Sequence, residues 1–220
     1  MRPFFISGIG TGIGKTLVTA ILTEAMQADY WKPVQAGFDT GTDSSRMGSL
    51  ISTSQTIIHP ESYKLKLAAS PHIAAAEENR RIDPELIFRD FKQMNPARPL
   101  IIEGAGGLMV PLNEKDFVID LVKKLDAKLI LVSRNYLGSI NHSLMTAKLC
   151  RSYGLDVTGW VFNDDYLNYE AEIAGWSGYP ILFSLPLFDT VSRQTVQEAA
   201  RRYEQDIKRA LTGVSGHQAE

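Results

Sequence analysis

Cysteine, charge of one sign and long apolar runs are all scarce in this 220-residue chain. With Cys150 as its single cysteine the chain can form no intrachain disulfide and no cysteine-based zinc cluster, a usage that fits a reducing compartment. Lys plus Arg number 23 and Asp plus Glu 25, a formal net charge of −2. The basic excess that binding to a phosphate backbone requires is missing, so nucleic acid is not an expected partner. No apolar stretch approaches the roughly 18 residues of a membrane span, and no membrane partner is expected. The amino-terminal apolar run, Phe4 to Ile6, is too short for a signal-peptide core, which leads to the expectation of a cytoplasmic protein. Neither a Gly/Ser- or Pro-rich linker nor a repeat with a period of about 20 to 50 residues divides the chain. Residues 1–220 are therefore expected to form a single domain, with 213–220 as a disordered tail.

What is present is an alternation of short apolar runs with amphipathic stretches of helical length, the pattern of strands joined by crossover helices. The spacing predicts strands at Phe4–Ser7, Tyr30–Pro33, Leu100–Glu103, Leu129–Ser133, Val157–Phe162 and Ile181–Leu185. Helices are predicted at Lys15–Ala28, Pro84–Gln93, Phe117–Leu125, Asn141–Tyr153, Tyr169–Trp176 and Val191–Leu211. Asp83 before Pro84 has the form of an N-cap followed by proline at the first helical position, and Gly154 that of a helix stop. With the glycine-rich stretch Gly8 to Thr16 set between the first predicted strand and the first predicted helix and ending in Gly-Lys-Thr, the expected fold is α/β and P-loop NTPase-like, a mostly parallel sheet with helices on both faces. Residues 34–82 are the least periodic and are expected as elaborated loops over the carboxyl ends of the strands, where such sheets bind ligands.

The sharpest local signal runs from Gly8 to Thr16, directly after a predicted strand and before a predicted helix. It ends in Gly14-Lys15-Thr16, as the phosphate-binding pattern G-x-x-x-x-G-K-[ST] requires, but Ile9 stands where the first glycine belongs, with Gly8 and Gly10 on either side. Gly10, Gly12 and Gly14 still let the backbone wrap around phosphates at a helix amino terminus, with Thr11, Ile13 and Leu17 completing the nucleotide-binding stretch. Lys15 would reach the β- and γ-phosphates of a nucleotide such as ATP, and the Thr16 hydroxyl would hold Mg2+. A carboxylate at the end of a neighbouring strand should share that metal. Glu103, closing the run Leu100 to Glu103 before Gly104, Ala105, Gly106 and Gly107, supplies one, and Asp43 is a candidate for a further contact.

In order along residues 5 to 190 stand Gly14-Lys15-Thr16, Lys32-Pro33-Val34, Ser70-Pro71-His72, Glu103 to Gly107, Gly138 to His142, and Gly159 to Asp164. This ordered set resembles the dethiobiotin synthetase family. The resemblance implies an ATP-dependent ligase of biotin biosynthesis that closes a ureido ring on 7,8-diaminononanoate with carbon dioxide, through a carbamate and a carbamic-phosphoric anhydride. It implies Mg2+ as cofactor, ATP as co-substrate, and a homodimer with sites at the interface. Carried over, Lys15, Lys32 and Thr16 are the catalytic residues, with Lys32 holding and polarising the carbamate. Thr16, Asp43 and Glu103 resemble the metal partners. Asn163 reads the adenine edge, with Pro186 beside the base. Thr11, Lys32, Ala36, Ser70, Gly106 and Gly107 line the substrate pocket, and Gly138, Ser139, Ile140 and Asn141 bring helix-start N–H groups to the distant carboxylate from the other subunit.

Two positions depart from the family pattern. Ala36 stands where a hydroxyl residue is frequent, and Gly12 where some members carry an acid, so altered affinity is expected rather than lost chemistry. A dimeric ATPase switch of the cell-division or plasmid-positioning kind is the alternative on the same fold. Such switches usually carry a second lysine at the position held here by Thr11, and its absence counts against them. An amidotransferase would need a reactive thiol, whereas Cys150 lies within a predicted helix as a core residue. His72 and His142 are read as local structural residues.

Overall fold

The computed structural model describes residues 1–39 and 41–212 of the chain; the tail expected at 213–220 lies outside the described residues. The first half runs β1 (Phe4–Gly8), α1 (Lys15–Met26), β2 (Asp29–Trp31), β3 (Val34–Ala36), α2 (Asp43–Leu50), β4 (Ile58–His59), β5 (Tyr63–Leu65), α3 (Pro71–Glu77) and α4 (Pro84–Met94). There follow β6 (Leu100–Gly107), α5 (Val118–Lys124), β7 (Lys128–Arg134), α6 (Ser139–Ser152), β8 (Val157–Asn163), α7 (Glu170–Ser177), β9 (Ile181–Leu185), α8 (Arg193–Arg202) and α9 (Glu204–Thr212). Seven strands pair side by side in the order β4-β2-β6-β1-β7-β8-β9, and every pairing is parallel. β3 and β5 form a separate two-stranded parallel pair.

Parallel strands must be covered on both faces, and their alternation sorts the apolar side chains into two cores. Phe4, Ile6, Tyr30, Ile101, Ile130 and Val132 point to one face, under α1, α2, α8 and α9. Phe5, Trp31, Leu100, Ile102, Leu129, Leu131 and Trp160 point to the other, under α4, α5, α6 and α7. Cys150 is fully buried in α6 within the second core, and burial pushes its thiol up to about 12, which keeps it an inert core residue.

The local signals act where they stand. Asp83 caps α4 by accepting from the Glu85 N–H at 2.9 Å, with Pro84 at the first helical position. Gly154, at φ +63°, follows the end of α6. The helix predicted at Val191–Leu211 is two helices. Tyr203 leaves helical geometry at φ −102° and ψ 8°, stacks on Phe183 at 5.0 Å and donates to the Ser184 carbonyl at 2.6 Å. That anchorage to β9 turns the chain between α8 and α9, and both still bury an apolar stripe, including Val196, Ala199 and Ile207, against the sheet-facing core. The stretch 34–82 is more ordered than a set of loops: β3, α2, β4, β5 and α3 all fall in it, and it overhangs the carboxyl ends of the strands.

Candidate active site

The loop between β1 and α1 is shaped by its glycines. Gly14 sits at φ +93°, and a Cβ there would come within 2.1 Å of the Asn163 amide nitrogen. Gly107, at the end of β6, lets that strand lie against the loop: its Cβ would stand 3.0 Å from the Gly8 carbonyl oxygen. Asn163, at the end of β8, donates to the Ile13 carbonyl at 3.0 Å and so ties the far side of the sheet to the loop. Lys15 opens α1 and is almost wholly buried, its Nζ donating to the Gly10 carbonyl at 2.7 Å. Burial, against a neutral partner, pulls its pKa down to about 8, with Glu103 and Asp43 opposing and Lys32 adding to the fall.

Alternation along β2 and β6 builds the other half of the site. Tyr30 pairs with Ile101, and residues two further on share their face, so Lys32 and Glu103 both emerge on the α1 side at the carboxyl end of the sheet. Thr16, one residue into α1, donates to Glu103 Oε1 at 2.8 Å and lies 3.4 Å from Asp43 Oδ1. Lys32 pairs with Glu103 Oε1 at 3.2 Å and, more tightly, with Asp43 Oδ2. Asp43 is the first residue of α2, which is fixed by a capping box between Thr42 and Ser45 and by the Gln35 amide oxygen accepting from the Asp43 N–H at 3.1 Å. Burial alone would lower the Lys32 pKa; Glu103, then Asp43, more than offset it, and the net displacement is upward. Beneath them, fully buried Tyr30 donates its hydroxyl to Glu103 Oε2 at 3.0 Å. Burial and then the Glu103 charge hold that phenol well above its ordinary pKa, so it remains a donor.

Thr16, Asp43 and Glu103 present hard oxygen atoms at one point, a set suited to Mg2+ and poor for softer metals. Among the described residues no group of three or more His, Cys, Asp or Glu side chains is placed to hold an ion. Two carboxylates and a hydroxyl are what Mg2+ uses when phosphates supply further ligands. These residues border a cavity of about 770 Å³ that runs from the loop past Lys32 to Ala68, Ala69, Ser70 and Pro71 on one side and to Asn163, Leu187 and Phe188 on the other. Its size suits a nucleotide with a second small substrate beside it.

Comparison with known proteins gives this geometry a family. A family model described as an AAA domain matches residues 2–195. The ATP-dependent dethiobiotin synthetase BioD of Cytophaga hutchinsonii is 46% identical over 198 residues, covering 89% of this chain and 94% of that protein. That of Rhodopseudomonas palustris is 42% identical, covering 88% of this chain and 91% of that protein. The chain belongs to the dethiobiotin synthetase family. Solved structures similar to this dethiobiotin synthetase family member include the MinC:MinD cell division complex of Aquifex aeolicus, with a TM-score of 0.60, 15% identity and coverage of 100% of this chain and 99% of that one. A ParA family ATPase from Chlorobium tepidum gives a TM-score of 0.54 at 16% identity, covering 97% and 95%. The relation to those ATPases is one of fold, and the switch alternative has no closer support.

In this dethiobiotin synthetase family chain the cavity gathers Thr11, Gly12, Gly14, Lys15, Thr16, Leu17, Lys32, Ala36, Asp43, Ser70, Glu103, Gly106 and Asn163. Ile13 is buried beneath the loop, and Pro186 is exposed beside Leu187 and Phe188, which do line the cavity. Gly10 and Gly107 face a second, mainly apolar cavity of about 470 Å³ between the loop, Met109 and the Met145 face of α6; Thr11 and Val110 border both. Gly138, Ser139, Ile140 and Asn141 line neither cavity. Ser139 is fully buried, its hydroxyl bonded to that of Tyr169 at 2.7 Å. His72 bonds Ser70 Oγ at 3.1 Å, and His142 bonds Tyr136 at 2.7 Å. Sequence reading missed Tyr30, Gln35 and Arg46. The signal for Tyr30 was available: two residues before Lys32 in a strand, it shares the lysine's face.

Proposed function

We propose that the chain is an ATP-dependent dethiobiotin synthetase, an ATP-dependent ligase that closes the ureido ring of dethiobiotin from 7,8-diaminononanoate and carbon dioxide. The observation that carries the reading is the placement of two buried lysines, Lys15 and Lys32, at one end of a cavity that also holds Thr16, Asp43 and Glu103. A reaction that joins a carbamate to a polyphosphate must bring two anions together, and cations already sequestered from water do that with little reorganisation.

Lys15 exchanges the Gly10 carbonyl for phosphate oxygens, and the amino-terminal N–H groups of α1 add partial positive charge. Lys32 holds the carbamate formed between one substrate amine and carbon dioxide. A carbamate oxygen then attacks the γ-phosphorus as the bond to ADP breaks. The second amine attacks the carbamate carbon, inorganic phosphate leaves with the electron pair, and the amine gives up its proton. Mg2+, which Thr16, Asp43 and Glu103 would hold, neutralises phosphate charge when bound. Ser70 and Ala36 border the diamine, and water can take the hydrogen bond that Ala36 lacks. Asn163, Leu187 and Phe188 form the base end of the cavity.

The functional form in this reading is a homodimer. What supports it is the second cavity beside the phosphate loop, whose rim exposes Met109 and Met145, with Leu137 exposed next to the start of α6. A partner seated there would bring its own Gly138 to Asn141 segment toward the diamine's carboxylate. Purified protein with Mg-ATP and bicarbonate, with and without 7,8-diaminononanoate, tests the catalytic reading. Phosphate release that requires the diamine and equals the dethiobiotin detected by mass is expected. Hydrolysis independent of the diamine, with no dethiobiotin, would overturn it.

A further inference from the structure

The carboxylate of Glu103 is almost completely buried, and its two oxygens face different neighbours. Oε1 accepts from Thr16 at 2.8 Å and from Lys32 at 3.2 Å, on the cavity side. Oε2 accepts from the Tyr30 hydroxyl at 3.0 Å, on the core side. Tyr30 itself cannot swing away, because its ring is fully buried in the core between β2 and α1. The phenol is thus a fixed donor that holds the rotation of the carboxylate and occupies the oxygen turned from the cavity.

We propose that Tyr30 is a positioning residue that restricts Glu103 to one oxygen toward the cavity and thereby favours Mg2+ over larger divalent cations. This rests on the metal reading given above for Thr16, Asp43 and Glu103. Mg2+ demands compact octahedral coordination, whereas Ca2+ tolerates higher coordination numbers and takes carboxylates through both oxygens. A carboxylate with Oε2 committed to a rigid phenol suits the first ion and denies the second its added contact. Ligand orientation by such an outer partner is a general feature of metal sites.

Calorimetric titration of the full chain with ADP, in Mg2+, in Ca2+ and in EDTA, reads this without turnover. In the wild type Mg2+ should strengthen ADP binding more than Ca2+ does. In Tyr30→Phe, which keeps the ring and removes the hydroxyl, the Mg2+ over Ca2+ ratio should shrink about tenfold, while ADP affinity in EDTA stays within about twofold. Tyr30→Leu, with a different core fit and no hydroxyl, should move the ratio the same way and guards against a folding failure of the first variant. On a Glu103→Gln background, Tyr30→Phe should leave the ratio unmoved. An unchanged ratio in both Tyr30 variants, or an equal shift on the Gln background, would overturn the inference alone. A wild type whose ADP binding neither cation strengthens would overturn the metal reading and this inference with it.

Discussion

Lys15 and Lys32 are the same residue type, both almost fully buried at the carboxyl end of the sheet, and burial lowers the pKa of each, yet their net displacements are opposite. Lys15 leans on the neutral Gly10 carbonyl, and its ammonium is held down at about 8. Lys32 lies between Glu103 and Asp43, and the two carboxylates more than offset the burial. The difference teaches that the loop end of the site stores an unmet demand for an anion, while at the strand end the lysine is already outweighed by two carboxylates. Nucleotide should therefore bind first where charge is wanting, with Lys32 released to a carbamate only as its carboxylates find another cation.

The sharpest way to break this contrast is at Lys32. Lys32→Ala should abolish turnover, by on the order of 10³-fold or more, while leaving Mg-ATP binding nearly intact in equilibrium titration. It should also cost about 3–5 kcal/mol of stability, because Glu103 is left buried without its cation. Undiminished turnover would remove its assigned role. Lys15→Met tests the other half and should weaken ADP binding by about a hundredfold, roughly the value of a lost charge-assisted contact. Its stability effect has the opposite sign. Between pH 8 and 10.5 the unfolded chain holds a proton on Lys15 that the fold does not, so this group makes stability rise with pH across that window. At pH 7 its burial is a penalty on the order of 3 kcal/mol, and Lys15→Met should melt higher than wild type there, with the advantage fading towards pH 10. A variant that melts lower at pH 7 would contradict the contrast.

Nucleotide affinity itself should follow Lys15. Above about pH 8 the empty site has lost the ammonium that phosphate needs, so ADP affinity should fall by up to tenfold per pH unit, with proton uptake on binding seen as a dependence of heat on buffer ionisation. A flat profile between pH 7 and 9.5 would deny Lys15 its low pKa. The smallest effect expected is that of Thr42→Ala, which removes the cap of the helix carrying Asp43. About 1 kcal/mol of local stability should be lost, detectable as faster amide exchange in residues 43–50 with little change around Lys15.

What could be read before folding divides along physical lines. The long central strands were legible because they are buried on both faces and stand as continuous apolar runs, as in Leu129–Ser133 inside β7. The loop from Gly8 to Thr16 was legible because its chemistry is local. β3 and β5 were not, since three residues around Pro33 and Gly37 are too few to carry a period, and their pairing joins segments far apart in sequence. The break at Tyr203 was hidden because the stripe of Val196, Ala199, Ile207 and Leu211 suits one helix, while the turn depends on Ser184 and Phe183 of β9. The face on which Tyr30 lies follows from its spacing to Lys32, but only the register of β2 against β6 places its hydroxyl under Glu103.

The position of β1 in the sheet carries one more consequence, for synthesis. The strand that launches the phosphate loop is made well before its neighbours β6 and β7, which begin at Leu100 and Lys128. At about 5–20 residues per second on the ribosome, β1 waits on the order of ten seconds for an edge to pair with. Until then its apolar side chains have no sheet to enter, and the nascent chain presents them to holdases and proteases. The catalytic loop is therefore made well before the two strands that flank β1 and is assembled only after both have emerged.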